Sequence, residues 1–95
     1  MTDMNEPISC GAQDMLEAAI IQRRRLIIIS HAETGEQVLY DRALPIDIGS
    51  HKGKESLTIL TTDNDGGILK ININTSDITY FEAKDYQDPR IHFKK

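Results

Sequence analysis

The fold class the sequence predicts is mostly β with one N-terminal helix: a small antiparallel barrel of five strands, capped by that helix. Three observations predict it. Apolar residues recur at helical spacing only once, at Ala12, Met15, Leu16, Ala19 and Ile20. After Arg25 the pattern changes to short runs rich in Ile, Leu and Val, which suit strands. Only brief polar or glycine-bearing stretches separate those runs. They leave no room for the crossover helix that parallel strands need, so the sheet is antiparallel.

The elements follow in order. The helix spans residues 10–23, with Ser9 as its N-cap, Asp14 and Glu17 early and Arg23, Arg24 and Arg25 at its far end. Acid early and base late suits the helix dipole. Residues 26–29, Leu-Ile-Ile-Ile, are apolar on both sides and read as a strand covered on both faces. Residues 31–36 read as a turn. Residues 37–43 form strand two around Val38, Leu39 and Tyr40, and Pro45 ends it. Residues 49–54 read as a polar loop, and residues 57–62 as strand three. Asp63-Asn64-Asp65-Gly66-Gly67 is a hairpin connection, because glycine supplies the positive φ of tight turns. In strand four Leu69, Ile71 and Ile73 alternate with Lys70, Asn72 and Asn74, one face in and one out. Residues 74–77 make a short turn open to 3-10 geometry, and residues 78–83 are strand five around Ile78, Tyr80 and Phe81. Five strands with one long apolar face curl to hide their edges, and helix-then-five-strands is the order of an Sm-like or SH3-like barrel. Residues 1–95 read as a single domain with its core in about 6–83, and residues 84–95, with Pro89, as a flexible tail.

Composition bounds the function. Hydrophobic residues make up 39% and charged residues 27%, close to globular averages. Aromatics are 5% with no Trp, so Ile, Leu and Val build the core. Ninety-five residues suffice for one core and leave little to wall off a deep active-site cavity. A single cysteine, Cys10, forms no internal disulfide, and neither a signal peptide nor a membrane-length apolar run is visible. The expectation is a cytoplasmic protein. His31, His51 and His92 lack metal-ligand spacing, and Asp63-Asn64-Asp65-Gly66 lacks the glutamate that closes a calcium loop. Cys10 reads as a core residue. No phosphate loop or nucleophile elbow is present. The expectation is a binding protein and no enzyme, with no cofactor and no metal.

Charge points to the kind of partner. The formal net charge is −4, and residues 1–19 hold Asp3, Glu6, Asp14 and Glu17 without one Lys or Arg. Such a chain is poorly matched to a phosphate backbone, so direct nucleic-acid binding is disfavoured. Asp14 and Glu17 lie one turn apart on the helix face opposite its apolar stripe, with Gln13 and Ile21 near them. A solvated helix face is the common reading of such acids. The lack of any basic neighbour up to residue 22 favours a partner with a groove lined by Arg and Lys. Arg23, Arg24 and Arg25 read as neutralising the helix C-terminus.

Pro7-Ile8-Ser9-Cys10, followed by Asp14, Leu16, Glu17 and Ala19, resembles the opening of the Rof family of Rho-binding antiterminators. That family's pattern is Pro-Ile-x-Cys-x-x-x-Asp-x-Leu-Glu-x-Ala leading into a helix. The resemblance extends over about residues 6–83, through Gly35-Glu36, Ser50 and Lys52 before strand three, and Asp77, Ile78, Thr79 and Phe81 in the last strand. It implies an Sm-like barrel with an N-terminal helix. It also implies binding to the hexameric helicase Rho at its primary RNA-binding OB-fold domain, so that RNA cannot load and bacterial transcription termination falls. Residue by residue, it implies that Asp14 and Glu17 mimic phosphates and that Lys52 contacts Rho from the loop it shares with Ser50. The candidate partner-binding set is Gln13, Asp14, Glu17, Ser50 and Lys52. Family members carry further acids and a tyrosine just after the cysteine, where Gly11, Ala12 and Gln13 stand here. The alternative is an Sm-like RNA-binding module. It would need basic loops and stacking groups, and in place of the Arg-Gly loop of ring-forming Sm proteins stands Asn74-Thr75-Ser76-Asp77.

Overall fold

The computed structural model describes residues 10–32, 34–51, 53–84 and 90–95, with Cys10 and His51 in backbone only. Among these, one helix and six strands follow in order: α1 (Cys10–Gln22), β1 (Leu26–His31), β2 (Gln37–His51), β3 (Lys54–Thr62), β4 (Ile68–Asn74), a 3-10 turn (Thr75–Asp77), β5 (Ile78–Ala83) and β6 (His92–Lys94). All neighbours are antiparallel, and the sheet runs β4-β3-β2-β1-β5-β6. The predicted mostly β, single-helix antiparallel class is the observed one.

The helix forms where the apolar spacing requires it. Ala12, Leu16 and Ala19 are fully covered against the sheet, with Met15, Ala18 and Ile20 partly so. Its end is a Schellman turn: Arg24 N–H donates to Ala19 O at 2.9 Å and Arg23 N–H to Ile20 O at 3.2 Å. Arg23 stands at the left-handed position with φ 55°, where glycine is the usual occupant.

The core face of the sheet takes Leu26 and Ile28 from β1, Ala43 and Pro45 from β2, Leu57 and Ile59 from β3, Ile73 from β4, and Ile78, Phe81 and Ala83 from β5. Ile78 and Phe81 are three residues apart, an odd spacing that should place them on opposite faces. A bulge at Thr79 resolves this. Ser30 pairs with Ile78 while Ile29 pairs with Tyr80, so one extra residue resets the alternation.

Four expectations are corrected. First, strand two does not end at Pro45. β2 runs for 15 residues, pairing with β1 through residues 37–43 and with β3 through residues 44–51. It bulges twice, near Arg42 (φ 55°) and at Ile46, and a proline beside a bulge has no ladder bond to lose. Second, the polar loop at 49–54 is instead a tight hairpin. Gly49, Ser50 and His51 pair with Ser56, Glu55 and Lys54, and Gly53 takes φ 76°. Third, β1 is buried on one face only. Ile27 and Ile29 point to the other side and are half-covered by neighbours that include Tyr80, Glu82 and Leu39. Fourth, residues 91–94 are not loose. Ile91 is 1% exposed, and β6 pairs with β5 with Phe93 stacked on Phe81 at 5.1 Å between centroids. Residues 85–89 lie outside the described residues.

The hairpin at 63–67 closes as its residues require. Asp63 Oδ1 accepts from Asp65 N–H at 2.9 Å and Gly67 N–H at 2.7 Å, and Gly66 takes φ 83°. A Cβ on Gly67 would lie 2.8 Å from Asp63 Oδ2, so the close approach itself demands glycine. Leu69 on the following strand, expected to face inward, is 43% exposed, because the apolar face of β4 is covered only toward Ile71 and Ile73.

Candidate functional site

The helix turns a distinct outer stripe to solvent. Burying Ala12, Leu16 and Ala19 forces Asp14, Glu17 and Ile21 outward, at the i, i+3, i+7 positions of one face. Side chains three apart on a helix stand about 5–6 Å from each other at Cβ, so the two carboxylates form one patch. Neither takes part in an ion pair among the described residues. Ile21 is 80% exposed, the most exposed large apolar side chain described. The stripe is therefore two acids followed by an apolar knob. Gln13 flanks it and is half-buried.

The other proposed residues sit elsewhere. Ser50 is exposed at the end of β2, paired with Glu55 of β3 beside the hairpin turn. Lys52 lies outside the described residues, as do Pro7, Ile8 and Ser9 and the side chain of Cys10. The structure thus unites Asp14, Glu17 and Ile21 on one element and leaves Ser50 on another. Ile21 was legible as a neighbour of the acids. Its exposure follows from the same 3.6-residue period that buries Leu16.

The histidines differ from the loop-and-tail expectation. His31 is the last residue of β1, its Nε2 3.1 Å from Gly35 O, and His92 opens β6 with its ring edge-on to Tyr80 at 5.5 Å. Beside His92, Tyr80 Oη donates to Glu82 Oε2, and Arg90 stands 3.6 Å from Glu82 Oε1. The Tyr80 hydrogen bond, with His92 and Arg90 assisting, holds the Glu82 carboxyl below its ordinary value against the opposing effect of burial. Among the described residues no group of three potential ligands could hold a metal ion. Among the described residues no helix is long and apolar enough to cross a membrane.

A second charged feature was not legible in sequence. Arg42 and Lys84, distant in the chain, join Arg23, Arg24 and Arg25 around one cavity of about 520 Å³. Compared with models of known protein families and with characterised proteins, the chain matches none.

Proposed function

We propose that the protein inhibits the transcription termination factor Rho by seating its helix in the RNA-binding groove of Rho's primary OB-fold domain. The observation that carries this reading is the Asp14–Glu17–Ile21 stripe. OB-fold grooves that hold single strands are positively charged and offer apolar stacking ground. Two exposed carboxylates one turn apart meet the first property, and the Ile21 side chain meets the second. RNA is then excluded because its phosphates and these carboxylates compete for the same cations.

The fold supports the reading as well. A helix followed by five consecutive antiparallel strands is the order of an Sm-like barrel, and a long strand with two bulges is how a small sheet curls. The edge of β5 is occupied by β6 over residues 80–82, which blunts strand-by-strand assembly into a ring of copies. That weighs against a ring-forming RNA-binding module.

The test is co-purification with Rho, followed by Rho's RNA-stimulated ATP hydrolysis with and without the protein. Removing one partner of a buried carboxylate–cation pair costs about 2–5 kcal/mol. Reversing both charges, Asp14→Lys with Glu17→Lys, therefore weakens binding by about a thousandfold or more. Both side chains are exposed, so the fold survives the change. If the doubly reversed protein still inhibits, the contact surface is wrong. Tight, salt-sensitive retention of single-stranded RNA by the isolated protein would favour the RNA-binding module instead.

A further inference from the structure

The two edges of the sheet are finished differently. On one side β6 covers β5 and is itself only three residues long, His92–Lys94. On the other side lies β4, at the end of the order β4-β3-β2-β1-β5-β6. It runs for seven residues, Ile68–Asn74, and pairs with β3 from Thr62↔Ile68 to Ser56↔Asn74 without a bulge. No proline interrupts it, and Lys70 is its one charged residue. Along its outer margin no described strand pairs with it, so alternate residues hold N–H and C=O groups outward. Natural sheets keep such edges from pairing by shortness, proline, bulges or charge. β6 has shortness; β4 has a single lysine.

Burial marks the same margin. Leu69, Ile71 and Ile73 share the core face of β4, and cover thins along the strand. Ile73 is 4% exposed, Ile71 half-buried and Leu69 43% exposed. A further strand laid along this edge covers Leu69 and Ile71 and pairs the outward backbone groups together. The backbone asks for an extended strand, and the side chains say which one.

Antiparallel pairing of β4 with itself about a two-fold axis at Ile71 overlaps all seven residues. It sets Ile71 opposite Ile71 of the second copy, Leu69 opposite Ile73, and Lys70 opposite Asn72. Neighbouring registers fail. A two-fold axis at Lys70 opposes the two lysines, and a slip of one residue lays the apolar row of one copy beside the polar row of the other. The strand is thus complementary to itself in one register. Because β6 occupies the edge of β5, a head-to-tail β4-to-β5 ring is blunted, and the isologous pair closes at two copies.

We propose that two copies of this chain pair through β4 in that register and form a continuous twelve-stranded antiparallel sheet, twice the six strands of one chain. A seven-residue edge is about 23 Å long and makes an interface below standard size, so the dimer is weak, with Kd between about 10 µM and 1 mM. The α1 carboxylates take no part, so this inference stands or falls apart from Rho binding.

The experiment is sedimentation of the full chain from about 5 µM to about 1 mM, with amide exchange at both ends of that range. A monomer–dimer equilibrium is expected, with β4 amides gaining protection as concentration rises. Asn72 is exposed, so its charge variants spare the fold, which thermal melts check. Asn72→Lys sets lysine against Lys70 of the other copy twice by symmetry and should weaken the dimer about two- to thirtyfold; Asn72→Glu should tighten it by a similar factor although it makes the chain more negative. Lys94→Gln on β6 leaves it unchanged. A protein still monomeric at about 1 mM overturns the proposal. So does a dimer that the two Asn72 variants fail to shift in opposite directions, or one whose β4 amides gain no protection. Assembly beyond two copies would refute the isologous closure.

Discussion

Replacing Arg23 by glycine separates backbone strain from charge at the corner where the helix ends. Arg23 is the left-handed residue of the Schellman turn, held there by the hydrogen bonds from its own N–H to Ile20 O and from Arg24 N–H to Ala19 O. A side chain in that conformation costs about 1–2 kcal/mol relative to the right-handed region. Glycine removes the cost but widens the unfolded ensemble, which returns roughly 0.5–1 kcal/mol. The net expectation is a gain of about 0.5–1 kcal/mol. For a domain of this size that is a rise in Tm of roughly 3–6 °C. Arg23→Ala is the control: it deletes the same guanidinium but keeps a Cβ at φ 55°, so it brings no such rise. Thermal and urea melts of the two variants beside the parent protein decide the matter. Equal stabilities for Arg23→Gly and Arg23→Ala would refute the strain argument.

Two further outcomes follow from the C-terminal strand and its neighbours. Phe93→Ala removes the ring stacked on Phe81, and should destabilise the fold by about 1–3 kcal/mol and speed amide exchange in β6 ahead of β1; unchanged exchange in β6 would show that the stacking does not hold it. Glu82 titrates below its ordinary value of 4.5 in the folded chain, so its contribution is complete above that pH and drains away as pH falls through the lowered folded value. Stability should therefore fall more steeply with acid below about pH 4.5 in the parent than in Glu82→Gln, as read from urea midpoints across that window, and parallel curves would deny the Tyr80 bond its role.

Elements whose evidence is local were readable in the chain. The helix announces itself by the spacing of Ala12, Leu16 and Ala19. The turn at Asp63 announces itself by its side-chain acceptor and two glycines, and β5 came out with the same bounds. Where reading failed, a distant partner had overruled a local signal. Pro45 looks like a strand terminator until the bulge at Ile46 and the change of partner from β1 to β3 make room for it. Ser50 and Lys54 look like loop residues until their pairing with Glu55 and His51 extends both strands. Phe93 lies past Pro89 with no alternation to mark a strand, and becomes part of one only because β5 offers it a backbone partner and the ring of Phe81.

The same division holds for the two surfaces. By itself, the sequence determined the acidic stripe, because residues 14, 17 and 21 share a face whenever residues 12, 16 and 19 are buried, whatever the rest of the chain does. Tertiary structure alone decided the cationic corner. Arg25, Arg42 and Lys84 are separated by 17 and 42 positions, and only the shared pairing of Leu26 with Ala43 and Ala83 draws them together. Helical periodicity is a property of neighbours along the chain, whereas strand register is set by which apolar faces find each other in the folded core.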